Sequence, residues 1–369
     1  MSRARSIRLL DLGTVPPLRS QTCYHAAAQA LCESSPDTII FVSPSDPYVC
    51  VGFHQELEKE VDVAYCRSRG LPVFRREVGG GAVYLDGNQV FVQWVFHPSS
   101  LPAGIEDRFR LYIEPLVLTY RELGIEAVER PVNDIQVRGK KIGGTGAGRI
   151  GSAEVVVGSL MFDFDKAAMA RVLKVPSEKM RDKVFQSLEQ YMTTIREQTG
   201  RMPDRQDVKD LYVRHCADVL GAQIVPGEWT ADEDARARGY DELFVSPDWL
   251  SQKGSLGRPG IKIHEDVEVV ESSLKTPGGL IRITVRFRSG RIDDLSISGD
   301  FTIFPRTSVR DIERALRGSS PDRGAILPVL EDEYRALSIE SPGIAPGDWA
   351  EAISLAARSA APGTFRNEI

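Results

Sequence analysis

Short runs of alternating apolar and polar positions, interspersed with amphipathic helical stretches, divide the larger, N-terminal part of the chain into strands and helices. Strands are predicted over Ile7–Leu12, Thr38–Val42, Tyr48–Gly52, Leu71–Arg76, Val90–Phe96, Asp134–Val137, Lys141–Ile142 and Glu154–Phe162. Helices are predicted over Thr22–Cys32, Val61–Arg69, Asp107–Leu123 and Asp207–Leu220, with further helical segments between Lys166 and Thr194. This interleaving predicts an α+β fold.

Turn residues predict how some of these elements are connected. Asp86-Gly87-Asn88 lies between the short strand 82–84 and Val90–Phe96, which predicts a hairpin. Arg138-Gly139-Lys140 predicts a turn between two further strands. Gly124 directly follows Asp107–Leu123 and is a natural C-terminal cap for that helix.

The composition changes after about residue 230, where a polar stretch broken by Gly, Ser and Pro predicts a domain boundary near residues 245–258. Beyond it we expect strands over Ile261–Ser272, Leu280–Arg288 and Arg291–Ser298, helices over Val309–Leu316, Val329–Leu337 and Trp349–Arg358, and a frayed tail from residue 361. Ser289-Gly290 signals a tight turn. The sequence therefore predicts a larger domain over residues 1–250 and a small α+β domain over 251–369.

Composition and charge exclude several classes of function. With 42% hydrophobic and 27% charged residues, the 369-residue chain can bury a substantial core. Its net charge of −6 argues against broad binding to nucleic acid or to anionic membranes. We find no apolar run of signal-peptide length or near the ~20 residues of a membrane span, so a cytoplasmic location is expected.

The cysteines and histidines do not form a metal-binding pattern. The five cysteines are an odd number without C-x-x-C spacing, which indicates reduced thiols rather than a disulfide or zinc framework. The five histidines include no H-x-x-x-H pair. Trp94 and Trp249 are interpreted as packing residues, and His97 as the end of a strand.

A pair of arginines precedes three consecutive glycines. Arg75-Arg76 and Gly79-Gly80-Gly81 lie in or beside a strand, where glycines are destabilising unless a ligand approaches the backbone closely or the chain bends sharply. Backbone N–H groups and two guanidinium groups can together form a phosphate cradle. The alternative is a tight bend with two solvent-facing arginines, and the pattern alone leaves both interpretations open.

A second candidate segment spans residues 133–148, with the sequence NDIQVRGKKIGGTGAG. A lysine pair on a hairpin arm leads into a loop that contains Gly143, Gly144, Gly146 and Gly148. Such a loop can close over a ligand, and a lysine ammonium can bind a phosphate or a carboxylate. An ordinary exposed hairpin is the alternative.

Taken together, these segments carry a family resemblance. The order RREVGGGAVYLDGNQ, then NDI…GKKIGG, then VGSLMFDFD resembles the lipoate–protein ligase family over roughly residues 5–245. FRSGRIDDLSISGDF, followed by a helix that ends in Ala315-Leu316-Arg317-Gly318, resembles the accessory domain fused to many bacterial members. The resemblance implies a mixed-sheet catalytic domain of the biotin/lipoate ligase fold and a small α+β C-terminal domain.

The resemblance also implies a function and the residues that perform it. The expected reaction is activation of lipoate by ATP, with Mg²⁺, to lipoyl-AMP, followed by transfer to a lysine of an acceptor protein. The residues implied to contact ATP or the adenylate are Arg76, Gly79, Gly80, Gly81, Ala82, Val83, Tyr84, Asn133, Asp134 and Lys141. Among these, Arg76, Gly81 and Lys141 are implied to contact the lipoyl group, Asp134 the metal, and Lys141 is the expected catalytic residue.

These residue types suit the reaction. A carboxylate that attacks the α-phosphate of ATP brings two anions together, and cationic groups must offset their repulsion. Lys141 and Mg²⁺ can do so, without any protein nucleophile. The apolar acyl chain needs a slot, which inward-facing residues of Val90–Phe96 are expected to help form.

The sequence departs from the family pattern in three places. Leu85-Asp86-Gly87-Asn88 lacks the usual histidine, Val156-Val157-Gly158 replaces His-His-Gly, and the alanines of HAAAQAL replace acidic residues. These departures indicate a divergent subfamily and leave acceptor and substrate preference open.

Three rival functions remain. An octanoyl or lipoyl transferase of the same fold would need a cysteine nucleophile in or after the lysine region, yet no cysteine lies between Cys66 and Cys216. A biotin ligase would carry a Gly-Arg-Gly-Arg adenylate loop, which we do not find. The third is a non-catalytic lipoyl- or nucleotide-binding regulatory protein.

Overall fold

The computed structural model describes residues 5–253, 262–264 and 267–360. The strands are β1 Ser6–Val15, β2 Thr38–Pro44, β3 Tyr48–Val51, β4 Val73–Arg75, β5 Val83–Leu85, β6 Gln89–Phe96, β7 Ala127–Arg130, β8 Asp134–Val137, β9 Lys140–Gly144, β10 Gly146–Ile150, β11 Ala153–Met161, β12 Gln223–Pro226, β13 Lys262–His264, β14 Val267–Thr276, β15 Gly279–Arg288 and β16 Arg291–Gly299. The helices are α1 Arg19–Ala30, α2 Leu57–Glu60, α3 Val63–Ser68, α4 Ile105–Glu122, α5 Lys166–Val172, α6 Glu178–Tyr191, α7 Ile195–Thr199, α8 Arg205–Leu220, α9 Ala231–Phe244, α10 Pro247–Leu250, α11 Ser308–Ala315, α12 Arg323–Ala336 and α13 Pro346–Ser359, with a 3₁₀ turn at Pro98–Ser100.

The chain forms two compact units. The first contains residues 1–51, 60–78 and 82–250, and the second contains residues 52–59, 79–81 and 251–369. The second unit therefore includes two short segments from the N-terminal part of the sequence, and one of these is the glycine triplet.

A six-stranded mixed sheet is the centre of the first unit. Its order is β10-β11-β6-β2-β1-β12; β1 runs parallel to β2 and β12, and the other neighbours are antiparallel. Successive side chains of a strand point to opposite faces. The Gln93 Nε2 donates to the Ser20 carbonyl of α1 at 2.9 Å, whereas the Trp94 Nε1 donates to Tyr212 Oη of α8 at 2.8 Å. Helices α1 and α8 thus cover opposite faces of the sheet.

Two three-stranded sheets, β4-β3-β5 and β7-β8-β9, complete the strands described for the first unit. The α+β class and the mixed sheet confirm the prediction from sequence. Helix α4 ends as predicted: Gly124 has φ +80°, its N–H donates to Arg121 at 2.9 Å, and the Ile125 N–H donates to Tyr120 at 3.0 Å. This pair of hydrogen bonds is a Schellman cap.

The predicted hairpin across Asp86-Gly87-Asn88 is wrong. The turn exists, with the Asp86 carboxylate accepting from the Asn88 N–H at 2.9 Å, but the two strands enter different sheets. Strand β5 pairs with β3, and β6 pairs with β2 and β11. The local pattern located both strands but not their partners, because these lie elsewhere in the sequence.

The second unit contains the antiparallel sheet β13-β14-β15-β16 and helices α11, α12 and α13. Ser289 and Gly290 form the predicted tight turn, with φ of +48° and +74°. Trp349 is fully buried in the core of this unit, in edge contact with the Phe301 ring at 4.9 Å. Of the predicted elements, residue 261, residues 265 and 266 and the tail from residue 361 lie outside the described residues.

Candidate functional site

The predicted catalytic lysine lies on β9, one arm of a tight hairpin. Arg138 and Gly139 connect β8 to β9 with φ of +49° and +81°, a conformation typical of a type I′ turn. Lys140 belongs to the strand rather than to the turn. Opposite β8, Gly144 pairs with Asp134 and Gly143 with Ile135, but Gln136 pairs with Lys141. Ile142 is therefore the extra residue of a β-bulge.

Lys141 and Asp134 form an ion pair on this hairpin. Their Nζ and Oδ1 atoms are 2.6 Å apart, and the side chains are 41% and 31% exposed. The structure thus brings together the lysine and the aspartate that the resemblance implied. Because both groups remain accessible, each can exchange its partner for a ligand.

The backbone around Lys141 is held by residues that the sequence did not indicate. The Thr193 N–H donates to the Lys141 carbonyl at 2.9 Å, and the Tyr120 hydroxyl donates to the Ile142 carbonyl at 3.4 Å. Neither contact has a local sequence signal, since Thr193 and Tyr120 lie far from the hairpin in sequence. The side chain of Lys140 points elsewhere, with Nζ 3.2 Å from the Glu189 carbonyl.

The glycine-rich loop predicted after Lys141 is wrong, because its four glycines lie in β9 and β10 and only Thr145 separates the two strands. Asn133 holds this junction between the strands. Its side-chain amide donates to the Thr145 carbonyl at 2.5 Å, and its own carbonyl accepts from the Thr145 N–H at 2.9 Å. In this structure, the Asn133 side chain orders the junction between β9 and β10. A contact between Asn133 and the nucleotide remains a prediction.

Arg75 does not fit either interpretation of the arginine pair. Its side chain is fully buried, and Nη2 donates to the Leu250 carbonyl at 2.6 Å. The Trp249 indole N–H donates in return to the Arg75 carbonyl at 2.8 Å. Burial lowers the pKa of Arg75 to about 10. Arg75 therefore neither faces solvent nor is placed to bind a phosphate; it connects β4 to α10.

Arg76 is also buried rather than solvent-facing. Its Nη1 donates to the Cys50 carbonyl at 3.2 Å, and its N–H donates to Val51 at 3.1 Å. The stretch Ala82-Val83-Tyr84 leads into β5, where Val83 pairs with Cys50 and Tyr84 with Val49. Strand β3 thus lies between β4, which precedes Arg76, and β5, which follows the glycine triplet. The ligand contacts of Arg76, Ala82, Val83 and Tyr84 remain predictions.

The glycine triplet belongs to the second unit, and its members differ. Gly80 has φ +94°, in the left-handed region that favours glycine. A Cβ at Gly79 would lie 2.6 Å from the Phe301 carbonyl oxygen, and one at Gly81 only 3.7 Å from the Asp300 Cβ. The close backbone approach predicted for the triplet therefore exists at Gly79, where the neighbour is the protein itself.

The two candidate segments meet within the first unit. A Cβ at Gly148 would lie 3.1 Å from Val78 Cγ1 and 3.8 Å from the Glu77 carbonyl oxygen. The chain that follows Arg76 therefore packs against β10, the strand that follows the one carrying Lys141. This contact supports the prediction that both segments contribute to one site.

Two of the departures from the family pattern are explained by packing. Val156 is buried in β11 and Val157 packs on a core cluster, so apolar side chains take the places of the two histidines. Ala26, Ala27 and Ala28 of α1 are buried. Trp94, Trp249 and His97 occupy the predicted structural roles: Trp94 is fully buried, Trp249 stacks on Phe244, and His97 follows the end of β6.

The described residues provide one carboxylate at this site for a metal, Asp134. Among these residues, no group of three or more His, Cys, Asp or Glu side chains could hold an ion. Mg²⁺ in nucleotide-dependent enzymes is bound through one or two carboxylates and the phosphates of the substrate. A single carboxylate beside a nucleotide therefore fits Mg²⁺. No helix within the described ranges is long and apolar enough to cross a membrane.

Comparisons with known proteins place this chain in a family. The chain is 27% identical to the octanoyltransferase LipM of Kyrpidia tusciae over 242 residues, which cover 59% of this chain and 88% of the relative. It is 28% identical to the lipoate-protein ligase LplJ of Bacillus subtilis over 301 residues, 78% of this chain and 82% of the relative. The solved bi-partite lipoate protein ligase of Thermoplasma acidophilum is 26% identical with a TM-score of 0.61, covering 69% of this chain and 99% of that chain.

Two family profiles match separate parts of the sequence. The profile of the bacterial lipoate protein ligase C-terminus matches residues 269–345. The profile of the lipoyl protein ligase A/B catalytic domain matches residues 20–217, more than half of the 369 residues. The chain therefore belongs to the lipoyl protein ligase A/B family.

Proposed function

We propose that this chain is an ATP-dependent lipoate–protein ligase. It activates lipoate as lipoyl-AMP and transfers the lipoyl group to a lysine of an acceptor protein. The proposal gives residues 1–250 the catalytic role and residues 251–369 an accessory role. The observation that carries it is Lys141, whose accessible ammonium lies beside the Asp134 carboxylate on β9.

The first step forms a mixed anhydride. A lipoate carboxylate oxygen attacks the α-phosphorus of ATP, the bond to the bridging oxygen breaks, and pyrophosphate leaves. The Lys141 ammonium offsets the repulsion between the two anions, because it can be placed between the carboxylate and the α-phosphate. Asp134 and the phosphates would hold Mg²⁺, which would supply further positive charge near the leaving pyrophosphate.

The second step forms the amide. The neutral amine of the acceptor lysine attacks the lipoyl carbonyl, the bond to the AMP oxygen breaks, and the amine loses a proton. Lys141 stabilises the negative charge that develops on the carbonyl oxygen. Phe91 and Val95, which belong to a core cluster on one face of β6, are the candidates for the apolar slot.

The cysteines argue against the transferase. Cys23, Cys50, Cys66 and Cys216 are buried, and burial raises the pKa of each thiol, to about 12 for Cys23 and Cys216 and about 11 for Cys66. A nucleophilic cysteine needs an accessible thiolate.

Cys32 differs from the other four cysteines, but it lies before Lys141 rather than in or after the lysine region. It is exposed, and hydrogen bonds with the Ser34 and Ser35 hydroxyl groups lower its pKa to about 7. The transferase stays a second candidate because of the resemblance to LipM octanoyltransferases.

Mass spectrometry of a purified lipoyl domain tests the proposal. The domain is incubated with the protein and lipoate, with Mg·ATP in one tube and without ATP in another, and a third tube supplies an octanoyl carrier protein instead. We expect a lipoyl mass increase only with ATP. Lys141→Ala should lower the rate about 1000-fold, the loss expected for one group that stabilises charge in the transition state. Lys140→Ala, the matched control, should retain activity.

The other outcomes separate the rivals. Octanoyl transfer from the carrier protein without ATP would establish the transferase. If no acceptor gains mass and lipoate drives no ATP–pyrophosphate exchange, the regulatory binding protein becomes the better interpretation.

A further inference from the structure

We propose that Gly144 is a positioning residue for Lys141: the missing side chain at Gly144, next to the bulge at Ile142, fixes where the Lys141 ammonium lies. This inference rests on the proposed ligase function. It adds a residue that never touches the substrate and acts only through the catalytic lysine.

The bulge determines which face of the hairpin carries Lys141. Residues opposite each other in an antiparallel pair project to the same face, and alternate residues of one strand share a face. Asp134 and Gln136 share one face, and the bulge places Lys141 opposite Gln136. Lys141 therefore projects to the Asp134 face.

Without the extra residue, the lysine would point to the other face. Regular pairing from Gly144 would put Ile142 opposite Gln136 and Lys141 opposite Val137. Val137 and Ile135 share the face that is buried in the core. The bulge thus brings the lysine out of the core and beside the carboxylate, which is how bulges near active sites redirect side chains.

Gly144 leaves the space that the redirected side chain occupies. A Cβ at Gly144 would lie 2.7 Å from Lys141 Nζ, 2.8 Å from Lys141 Cε and 3.5 Å from Asp134 Oδ1. The first two distances are shorter than van der Waals contact, so any side chain at position 144 displaces the ammonium. Since Nζ is the free end of a flexible chain, the ammonium moves and the backbone does not.

Alanine is compatible with the backbone at this position. Gly144 is not among the residues with positive φ. Gly144→Ala should therefore displace the ammonium with little cost to folding. Gly143→Ala is the matched control, because a Cβ at Gly143 meets Ile135 at 3.5 Å and the Ser159 carbonyl oxygen at 3.8 Å, which are ordinary contacts on the opposite face from Lys141.

The displacement should affect the chemical step more than binding. Misplacing a catalytic group by about 1 Å costs on the order of 100-fold in rate. Interactions that strengthen only in the transition state change kcat rather than ground-state binding. We therefore expect kcat to fall and KM for ATP to change little.

The experiment measures lipoate-dependent ATP–pyrophosphate exchange and single-turnover acceptor lipoylation. Gly144→Ala should lower kcat about 100-fold with a Tm within about 2 °C of the unmodified protein, while Gly143→Ala stays near the unmodified rate. In a Lys141→Ala background, Gly144→Ala should cause no further loss, because no ammonium is left to displace.

Two results would overturn the inference. One is a Gly144→Ala variant whose kcat equals that of the unmodified protein; the other is a Gly144→Ala substitution that lowers kcat by the same factor whether or not Lys141 is present. If the unmodified protein shows no lipoate-dependent exchange, the ligase function itself is overturned. Acetic anhydride labelling then tests the geometry separately. The ratio of labelled Lys141 to labelled Lys140 should change in Gly144→Ala and not in Gly143→Ala, and an unchanged ratio would reject the positioning role.

Discussion

The glycines that follow Lys141 and the triplet at Gly79–Gly81 look alike in sequence, yet they solve different problems. In the triplet, Gly79 gives room to the backbone of Phe301, and Gly80 adopts a left-handed conformation. On β9, Gly144 gives room to the side chain of Lys141. One set of glycines allows two backbone segments to pack, and the other allows a charged group to take up its position.

This difference separates stability from function. Backbone atoms cannot move away from an added Cβ without shifting the strand or loop that carries them, so substitution at Gly79 acts on the fold. A lysine ammonium can move away at little cost, so under the proposed function we expect substitution at Gly144 to act on the chemistry. The type of neighbouring atom, rather than the glycine itself, determines which property is lost.

Substitution at Gly52 should have the largest effect on stability. A Cβ there would overlap the carbonyl oxygen of Gly80, and both residues belong to the second unit. We expect Gly52→Ala to destabilise this unit by about 3 kcal/mol, the upper range for overpacking. Faster hydrogen–deuterium exchange in β14–β16 would reveal it. If β14–β16 exchange as slowly in Gly52→Ala as in the unmodified protein, the segment 52–59 is not needed for the stability of this sheet.

Within the triplet, substitutions at Gly79 and at Gly81 should have clearly different effects on stability. Gly79→Ala places a Cβ 2.6 Å from the Phe301 carbonyl oxygen, so urea unfolding should show a loss of about 2 kcal/mol. Gly81→Ala makes only ordinary contacts and should keep the stability within about 0.5 kcal/mol. If Gly81→Ala nevertheless raises KM for ATP, the ligand contact predicted for the triplet belongs to Gly81. Equal stability losses in both variants would remove the distinction.

Local pattern predicted the elements far better than their partners. The periodicity of α4 and its glycine cap required only neighbouring residues, and both are confirmed. The hairpin at Asp86 failed because β5 pairs with β3, some thirty-five residues earlier. Such non-local pairing depends on core packing that no short segment encodes.

The candidate site shows the same contrast between local patterns, which the sequence reveals, and non-local contacts, which it does not. Lys141 and Asp134 could be identified because a family motif is a local string of residues, and the structure brings them together at 2.6 Å. Three other features could not be identified from the sequence, because each depends on strand register or on a distant segment. They are the bulge at Ile142, the hydrogen bond from Thr193 and the burial of Arg75. The sequence therefore indicated two groups that the structure brings together, but not the backbone contacts that orient them; their role in a reaction stays a prediction.

Gly239 is the reference position for these glycine substitutions, because replacing it by alanine should destabilise the protein least. It lies inside α9, and a Cβ there would meet nothing within 4 Å. Only the intrinsic preference for helix remains, so Gly239→Ala should raise the free energy of unfolding by about 0.5–1 kcal/mol. Urea unfolding of the full chain measures the shift against the unmodified protein. If Gly239→Ala were instead as destabilising as Gly79→Ala, the losses would reflect glycine replacement in general, and close backbone approach would no longer explain the triplet.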